Sequence, residues 1–176
     1  MPGEPAAATA LGRVLRWLAA RDRSEREIRA RLSQWGLPPA EAEAVLVTLR
    51  ARGLVNDAAL AERLCDWHDR HDPLGPLRLR ERLARRGIAA ANGEAAVAAR
   101  AGEERQLELA EALLARRWPG LAGLAPALGR RRLHDLLARR GFSAAVRHRL
   151  CDPRRFPAGD APVADDADWP EGCEDD

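Results

Sequence analysis

Ile28-Arg29-Ala30-Arg31-Leu32-Ser33-Gln34-Trp35-Gly36-Leu37 occurs three times in this chain of 176 residues. It returns as Leu79-Arg80-Glu81-Arg82-Leu83-Ala84-Arg85-Arg86-Gly87-Ile88. A looser copy runs Leu133-His134-Asp135-Leu136-Leu137-Ala138-Arg139-Arg140-Gly141-Phe142. Each copy spaces apolar residues four apart, as one face of a helix requires, and ends in a glycine suited to closing that helix. Trp17, Trp67 and Trp118 precede the three glycines by 19, 20 and 23 residues. The repeating unit is therefore about 50 residues long, and repetition at that period fixes the architecture before any chemistry is considered.

Working outward from the motif, each unit divides into three helices. Leu11, Val14, Leu15 and Leu18 mark a first helix ending near Arg21. Ser24 and Glu27 form a capping box that starts the motif helix at about residue 25 and runs it to Gly36. Pro38 and Pro39 open a third, with Ala42, Val45, Leu46 and Leu49 on one face and Gly53 as the stop. In the second unit Asn56 and Asp57 cap a helix carrying Leu60, Leu64 and Trp67, Gly75-Pro76 opens the motif helix, and a short helix follows over about 91–101. The third unit predicts helices over about 103–117, 127–140 and 143–151, broken at Pro119-Gly120. Nothing alternates with period two for long enough to suggest a strand. The expected fold is all-α: three tandem three-helix repeats at 9–53, 54–101 and 102–152, forming an elongated, curved molecule. A disordered N-terminus is expected at 1–8 and a disordered acidic tail at 153–176.

Composition sets limits on function. The chain is 46% hydrophobic, which suits a folded protein, but only 4% aromatic, so three small Leu- and Trp-based cores are easier to supply than one large one. No stretch approaches the roughly 20 apolar residues of a membrane span, and no signal-peptide pattern is visible, so a soluble, cytoplasmic monomer is expected. Cys65, Cys151 and Cys173 are odd in number and unrelated in setting, which argues against a disulfide framework. All 29 basic residues are Arg, and the net charge of +2 conceals an uneven distribution. Residues 1–75 balance 11 Arg against 11 acidic residues, 76–159 hold 18 Arg against 8, and 160–176 hold 8 acidic residues and no Arg. A basic body attracts polyanions, and an acidic tail can compete for the same surface. A GC-rich genome accounts for Arg over Lys but not for the surplus within residues 76–159.

On the middle motif helix Arg78, Arg82 and Arg85 fall within about 60 degrees of one another, away from Leu79 and Leu83. Arg86 lies at the margin of this stripe. Arg130, Arg131, Arg132, Arg139 and Arg140 make a similar concentration in the third unit, and guanidinium groups suit bidentate contact with phosphate or carboxylate. A single stripe reads equally as a solvated helix face; two on successive repeats, in the segment holding the excess charge, mark these nine arginines as the candidate polyanion- or DNA-binding set. Cys65, His68 and His71 share helical spacing but lack a fourth ligand at zinc spacing, so no metal is expected. No cofactor and no catalytic residue is expected either, since there is no glycine-rich phosphate loop, nucleophile elbow or Ser-His-Asp set. The three periodic tryptophans read as core rather than as base-stacking platforms.

Three stretches, in this order, resemble the RecX family of bacterial recombination regulators. They are Arg21-Asp22-Arg23-Ser24-Glu25-Arg26-Glu27 leading into Ile28-Arg29-Ala30-Arg31-Leu32, then Gly53-Leu54-Val55-Asn56-Asp57, then Gly75-Pro76-Leu77-Arg78-Leu79-Arg80-Glu81-Arg82-Leu83 running to Gly87-Ile88. The resemblance covers about residues 11–151. It implies three tandem three-helix repeats and a non-enzymatic modulator that binds the RecA nucleoprotein filament on single-stranded DNA. That modulator would lie in the filament groove and inhibit recombinase and ATPase activity in recombination, repair and the SOS response. The chain departs from the family pattern at Asn56-Asp57 before Leu60 and at His71-Asp72-Pro73-Leu74, where a basic, glycine-containing turn is usual. A helical protein that binds DNA directly without a recombinase partner, and a scaffold for an acidic protein, remain as alternatives.

Overall fold

The computed structural model describes residues 6–117, 121 and 124–153. Among them are nine helices and no strand: α1 (Ala6–Leu18), α2 (Glu25–Gln34), α3 (Pro39–Ala51), α4 (Asp57–His71), α5 (Pro76–Arg85), α6 (Ala90–Ala98), α7 (Glu103–Arg117), α8 (Pro126–Arg139) and α9 (Ala144–Leu150). The motif forms α2, α5 and α8. Two expectations at the N-terminal end are corrected. Helix begins at Ala6 inside the stretch expected to be disordered, because alanine, the strongest helix former, fills four of positions 6–10 and Ala10 is buried; and α1 stops at Leu18 rather than Arg21. Residues 1–5, Trp118, Pro119-Gly120 and the acidic segment 154–176 with Cys173 lie outside the described residues.

The repeated motif owes its form to the way each motif helix ends. The Leu37 amide donates to the Leu32 carbonyl at 3.1 Å and the Gly36 amide to Ser33 at 2.9 Å. The same pair recurs as Ile88 to Leu83 and Gly87 to Ala84, and again as Phe142 to Leu137 and Gly141 to Ala138. This is a Schellman closure: the glycine turns the backbone left-handed, and the apolar residue after it folds back on the leucine five positions earlier. The pattern Leu-x-x-x-Gly followed by an apolar residue is therefore a physical unit.

Starts are equally local. Ser24 accepts from the Glu27 amide at 3.2 Å while Glu27 accepts from the Ser24 amide at 2.8 Å, completing the expected capping box. Asn56 caps α4 through the Ala59 amide, Ser143 caps α9 through Val146, and α3, α5 and α8 begin on prolines that have no amide to leave unpaired.

Burial forms three separate cores, one in each repeat. Val14, Ile28, Leu32, Leu46 and Leu49 centre the first; Leu60, Ala61, Cys65, Leu79, Leu83 and Val97 the second; Leu113, Leu133, Leu137, Phe142 and Val146 the third. Each fully buried Leu or Ile stabilises by about 1.5–3 kcal/mol, so every core holds up its own repeat. The closely packed helix pairs, such as α4 with α6 and α7 with α9, lie within repeats. What joins one repeat to the next is polar.

Candidate nucleic-acid interface

The C-terminus of each later motif helix docks on the N-terminus of the motif helix before it. At the first junction the Ser24 hydroxyl, besides accepting from Glu27, donates to the Arg86 carbonyl at 2.6 Å. Arg26 donates to the carbonyls of Ala84 at 3.1 Å and Arg85 at 2.7 Å. Both carbonyls lie at the end of α5, where that of Arg85 has no partner within the helix and that of Ala84 accepts also from the Gly87 amide. At the second junction the Gly75 amide donates to the Arg140 carbonyl at 2.8 Å, the Leu77 amide reaches Gly141, and Arg78 Nε donates to the Arg139 carbonyl at 3.1 Å. Orphan donors at the start of α5 meet orphan acceptors at the end of α8, and the helix dipoles line up head to tail.

Ser24 thus serves two elements with one hydroxyl. Ser24→Ala is expected to cost about 1–2 kcal/mol, the sum of a lost cap and an unpaired junction carbonyl, read as a lower urea midpoint. A shift as small as that of an exposed serine would contradict this role.

These junctions divide the nine candidate arginines into two groups. Arg86 donates to the Asp22 carbonyl at 3.1 Å and pairs with Glu27 at 3.4 Å across the first junction. Arg140 pairs with Asp72, and Arg78 is held by Arg139 and Glu81, at the second. Arg82 and Arg132 are half-buried and engaged, whereas Arg85, Arg131 and Arg139 are exposed and Arg130 is half-buried. No side-chain partner is found for these last four among the described residues. Of the nine side chains, three hold repeats together. Arg85 at the end of α5 and Arg131 and Arg139 on α8 are left exposed with no side-chain partner among the described residues, and Arg130 half-buried.

Three features escaped the sequence reading. Arg100, at the end of α6, is 6% exposed and meets Asp69 at 3.0 Å, Glu62 at 3.2 Å and Asp66, three carboxylates on one face of α4. Burial alone would lower its pKa, but the Asp69 charge and the hydrogen bonds outweigh it and hold Arg100 above its ordinary value. Arg116 of α7 donates to the carbonyls of Arg70 and His71, tying the third repeat to the end of α4. Trp67, expected in the core, is 50% exposed. It stacks on His71 with ring centroids 5.1 Å apart and planes at 22°. Trp17 does pack against the first core, under the guanidinium of Arg23 at 4.2 Å.

Cys65 and the two histidines do not converge. Cys65 is buried in the second core, where burial pushes its thiol up to about 11. His68 Nδ1 lies 3.1 Å from the Asp72 carbonyl and His71 Nδ1 2.9 Å from that of Trp67, and burial lowers the pKa of His68. No group of three metal-ligating side chains occurs among the described residues. Cys65 in the native protein is expected to resist iodoacetamide at neutral pH and to react only after denaturation, since the thiolate is the nucleophile. Rapid native alkylation would contradict that burial.

Residues 10–49 match the first three-helix domain of RecX and residues 103–146 the third. The Regulatory protein RecX of Leptothrix cholodnii is 36% identical over 137 residues, spanning 77% of this chain and 82% of its own. The chain belongs to the RecX family. The Regulatory protein RecX of Deinococcus radiodurans is 35% identical over 136 residues, and the alignment covers 63% of that longer protein. A crystal structure of regulatory protein RecX superposes with a TM-score of 0.69 at 26% identity over 82% of this chain and 70% of its own. The RecX structure from Lactobacillus salivarius, 17% identical, gives 0.73 over 82% and 93% and supports the fold. These RecX relatives are named regulatory proteins. No described helix is long and apolar enough to cross a membrane.

Proposed function

We propose that this protein restrains a RecA-type recombinase filament on single-stranded DNA in the cytoplasm, acting without catalysis of its own. The observation that carries the reading is the set of arginines on α5 and α8 that have no side-chain partner among the described residues, on helices joined end to end by the junctions, in a chain belonging to a family of regulatory proteins. Guanidinium groups on these consecutive helices offer several cations to a regularly spaced anionic polymer. Arg86 and Arg140 serve this set by holding the repeats together. The arginines fit naked DNA as well, and salt separates the two readings. Binding to naked single strands should fade with a logarithmic slope of about 0.7 per phosphate contacted. Binding to the assembled filament, which adds protein contacts, is expected to persist where naked-strand binding has gone; equal loss of both would leave a plain nucleic-acid-binding protein.

A further inference from the structure

Trp67, near the end of α4, is half exposed, yet its ring is held in place. His71 lies against it as a stack, with centroids 5.1 Å apart and planes at 22°, and His68 meets it edge-on at 5.0 Å and 85°. Each imidazole is itself anchored to backbone. His71 Nδ1 lies 2.9 Å from the Trp67 carbonyl and His68 Nδ1 3.1 Å from that of Asp72; a carbonyl only accepts, so each Nδ1 carries the proton and donates it. An exposed tryptophan ordinarily gives up side-chain freedom when it binds a partner. This one has given it up on folding, which lowers the cost of a contact.

The surroundings suit a polyanion. Every carboxylate from Glu62 to Asp72 is engaged by arginine: Glu62, Asp66 and Asp69 by Arg100, Asp69 also by Arg105, and Asp72 by Arg140. Arg116 covers the carbonyls of Arg70 and His71, acceptors at the negative end of the α4 dipole. Arg70 is exposed three residues past Trp67, a neighbouring position on the helix surface, and turns its Nε back to the Asp66 carbonyl at 3.1 Å. The second junction adjoins this end of α4, since the Arg140 that pairs with Asp72 follows the exposed Arg139. A tryptophan that anchors a protein partner sits among groups that exclude water around it. The exposed residues of α4 around Trp67 are instead Arg63, Asp66, Arg70 and His71. An aromatic surface set among guanidinium groups fits an unpaired base flanked by phosphates.

We propose that the Trp67–His71 stack is a platform for one unpaired base of a single-stranded nucleic acid, with Arg70 on an adjoining phosphate. The platform deepens the proposed function and rests on one part of it, contact with single-stranded DNA, and not on any recombinase. The exposed arginines of α5 and α8 then supply affinity for any polyanion. Trp67 adds a preference for strands whose bases are unpaired, because a duplex keeps its base faces covered.

Fluorescence anisotropy at low salt tests the platform with two labelled strands of about 20 nucleotides, one of thymidines and one of abasic sugar-phosphates carrying the same charge. Wild-type protein should bind the thymidine strand roughly tenfold more tightly than the abasic one. Trp67→Ala should lose that preference with abasic binding unchanged, and Trp67→Phe should keep the thymidine affinity within about threefold of wild type, since a phenyl ring still stacks. Replacing Arg85, Arg131 and Arg139 by glutamate should weaken both strands alike. Equal wild-type affinity for the two strands, no binding of either, or an equal loss on both in Trp67→Ala overturns the platform. So does a Trp67→Ala protein that keeps the base preference but no longer suppresses recombinase ATP hydrolysis, which makes Trp67 a protein contact. A wild type that prefers thymidines yet leaves that hydrolysis untouched defeats the filament reading and upholds the platform.

Discussion

Replacing Arg85, Arg131 and Arg139 together by glutamate is expected to lower affinity for the filament by about a hundredfold or more while leaving helicity and thermal stability close to the wild type. All three are exposed, none donates to a neighbouring repeat, and changes at such surface positions shift stability by about 0.5 kcal/mol or less. Each reversal removes one cation and adds one repelling charge, so a loss of about 1 kcal/mol apiece is modest, and three amount to a factor of about a hundred. The salt slope for naked single strands should fall by about two, at 0.7 per lost contact. Reversal of Arg78, Arg86 and Arg140 tests something else. Those side chains cross the junctions, so their loss is expected to appear first as instability. If the exposed trio also collapses helicity, the division between junction and surface is wrong.

Gly141→Ala is expected to be the most damaging single substitution at a junction. Its φ of +79° is a conformation that costs an L-residue about 1–2 kcal/mol, and a Cβ there would fall 2.5 Å from the Arg78 backbone nitrogen. The new methyl has to push α5 away from α8, breaking the bonds from Gly75 and Leu77 to the third repeat. Gly36 has the same φ of +79° with nothing within 4 Å of its Cβ, so Gly36→Ala measures the backbone cost alone. Gly141→Ala should exceed it by about 1–3 kcal/mol, matching the several polar groups uncoupled, and should split urea unfolding into two transitions. Equal losses for the two variants would mean that the junction bears no strain. Filament binding should fall with Gly141→Ala even though no arginine is touched, because α5 and α8, which carry Arg85 and Arg139, would part.

The sequence announces the helices well because their signals are local. Ser24 with Glu27, Gly75-Pro76 and the three closing glycines each settle a backbone boundary through atoms a few residues apart. Family membership was legible for the same reason, since the matching stretches are these boundaries. What periodicity cannot supply is the neighbour across a junction. Arg78 and Arg82 stand on one line of α5, yet only the docking of α8 reveals that Arg78 caps the Arg139 carbonyl. Trp67 was misplaced because Leu60, Leu64 and Trp67 suggest a stripe of large residues. The buried face of α4 instead centres on Leu60, Ala61, Leu64, Cys65 and His68, about 90 degrees from Trp67, where small side chains let α6 approach. Arg100 was unreadable in a run of alanines, because its partners Glu62, Asp66 and Asp69 belong to another helix.

ATP hydrolysis by the cognate recombinase on single-stranded DNA, followed while the protein is titrated to stoichiometry, tests the central claim most directly. Wild-type protein should suppress hydrolysis, the Arg85, Arg131 and Arg139 glutamate variant should not, and reversal of the exposed Arg16 and Arg52 in the first repeat should leave suppression intact. Hydrolysis unaffected by the wild type, or abolished suppression in both variants alike, would contradict a filament-restraining basic surface on repeats two and three.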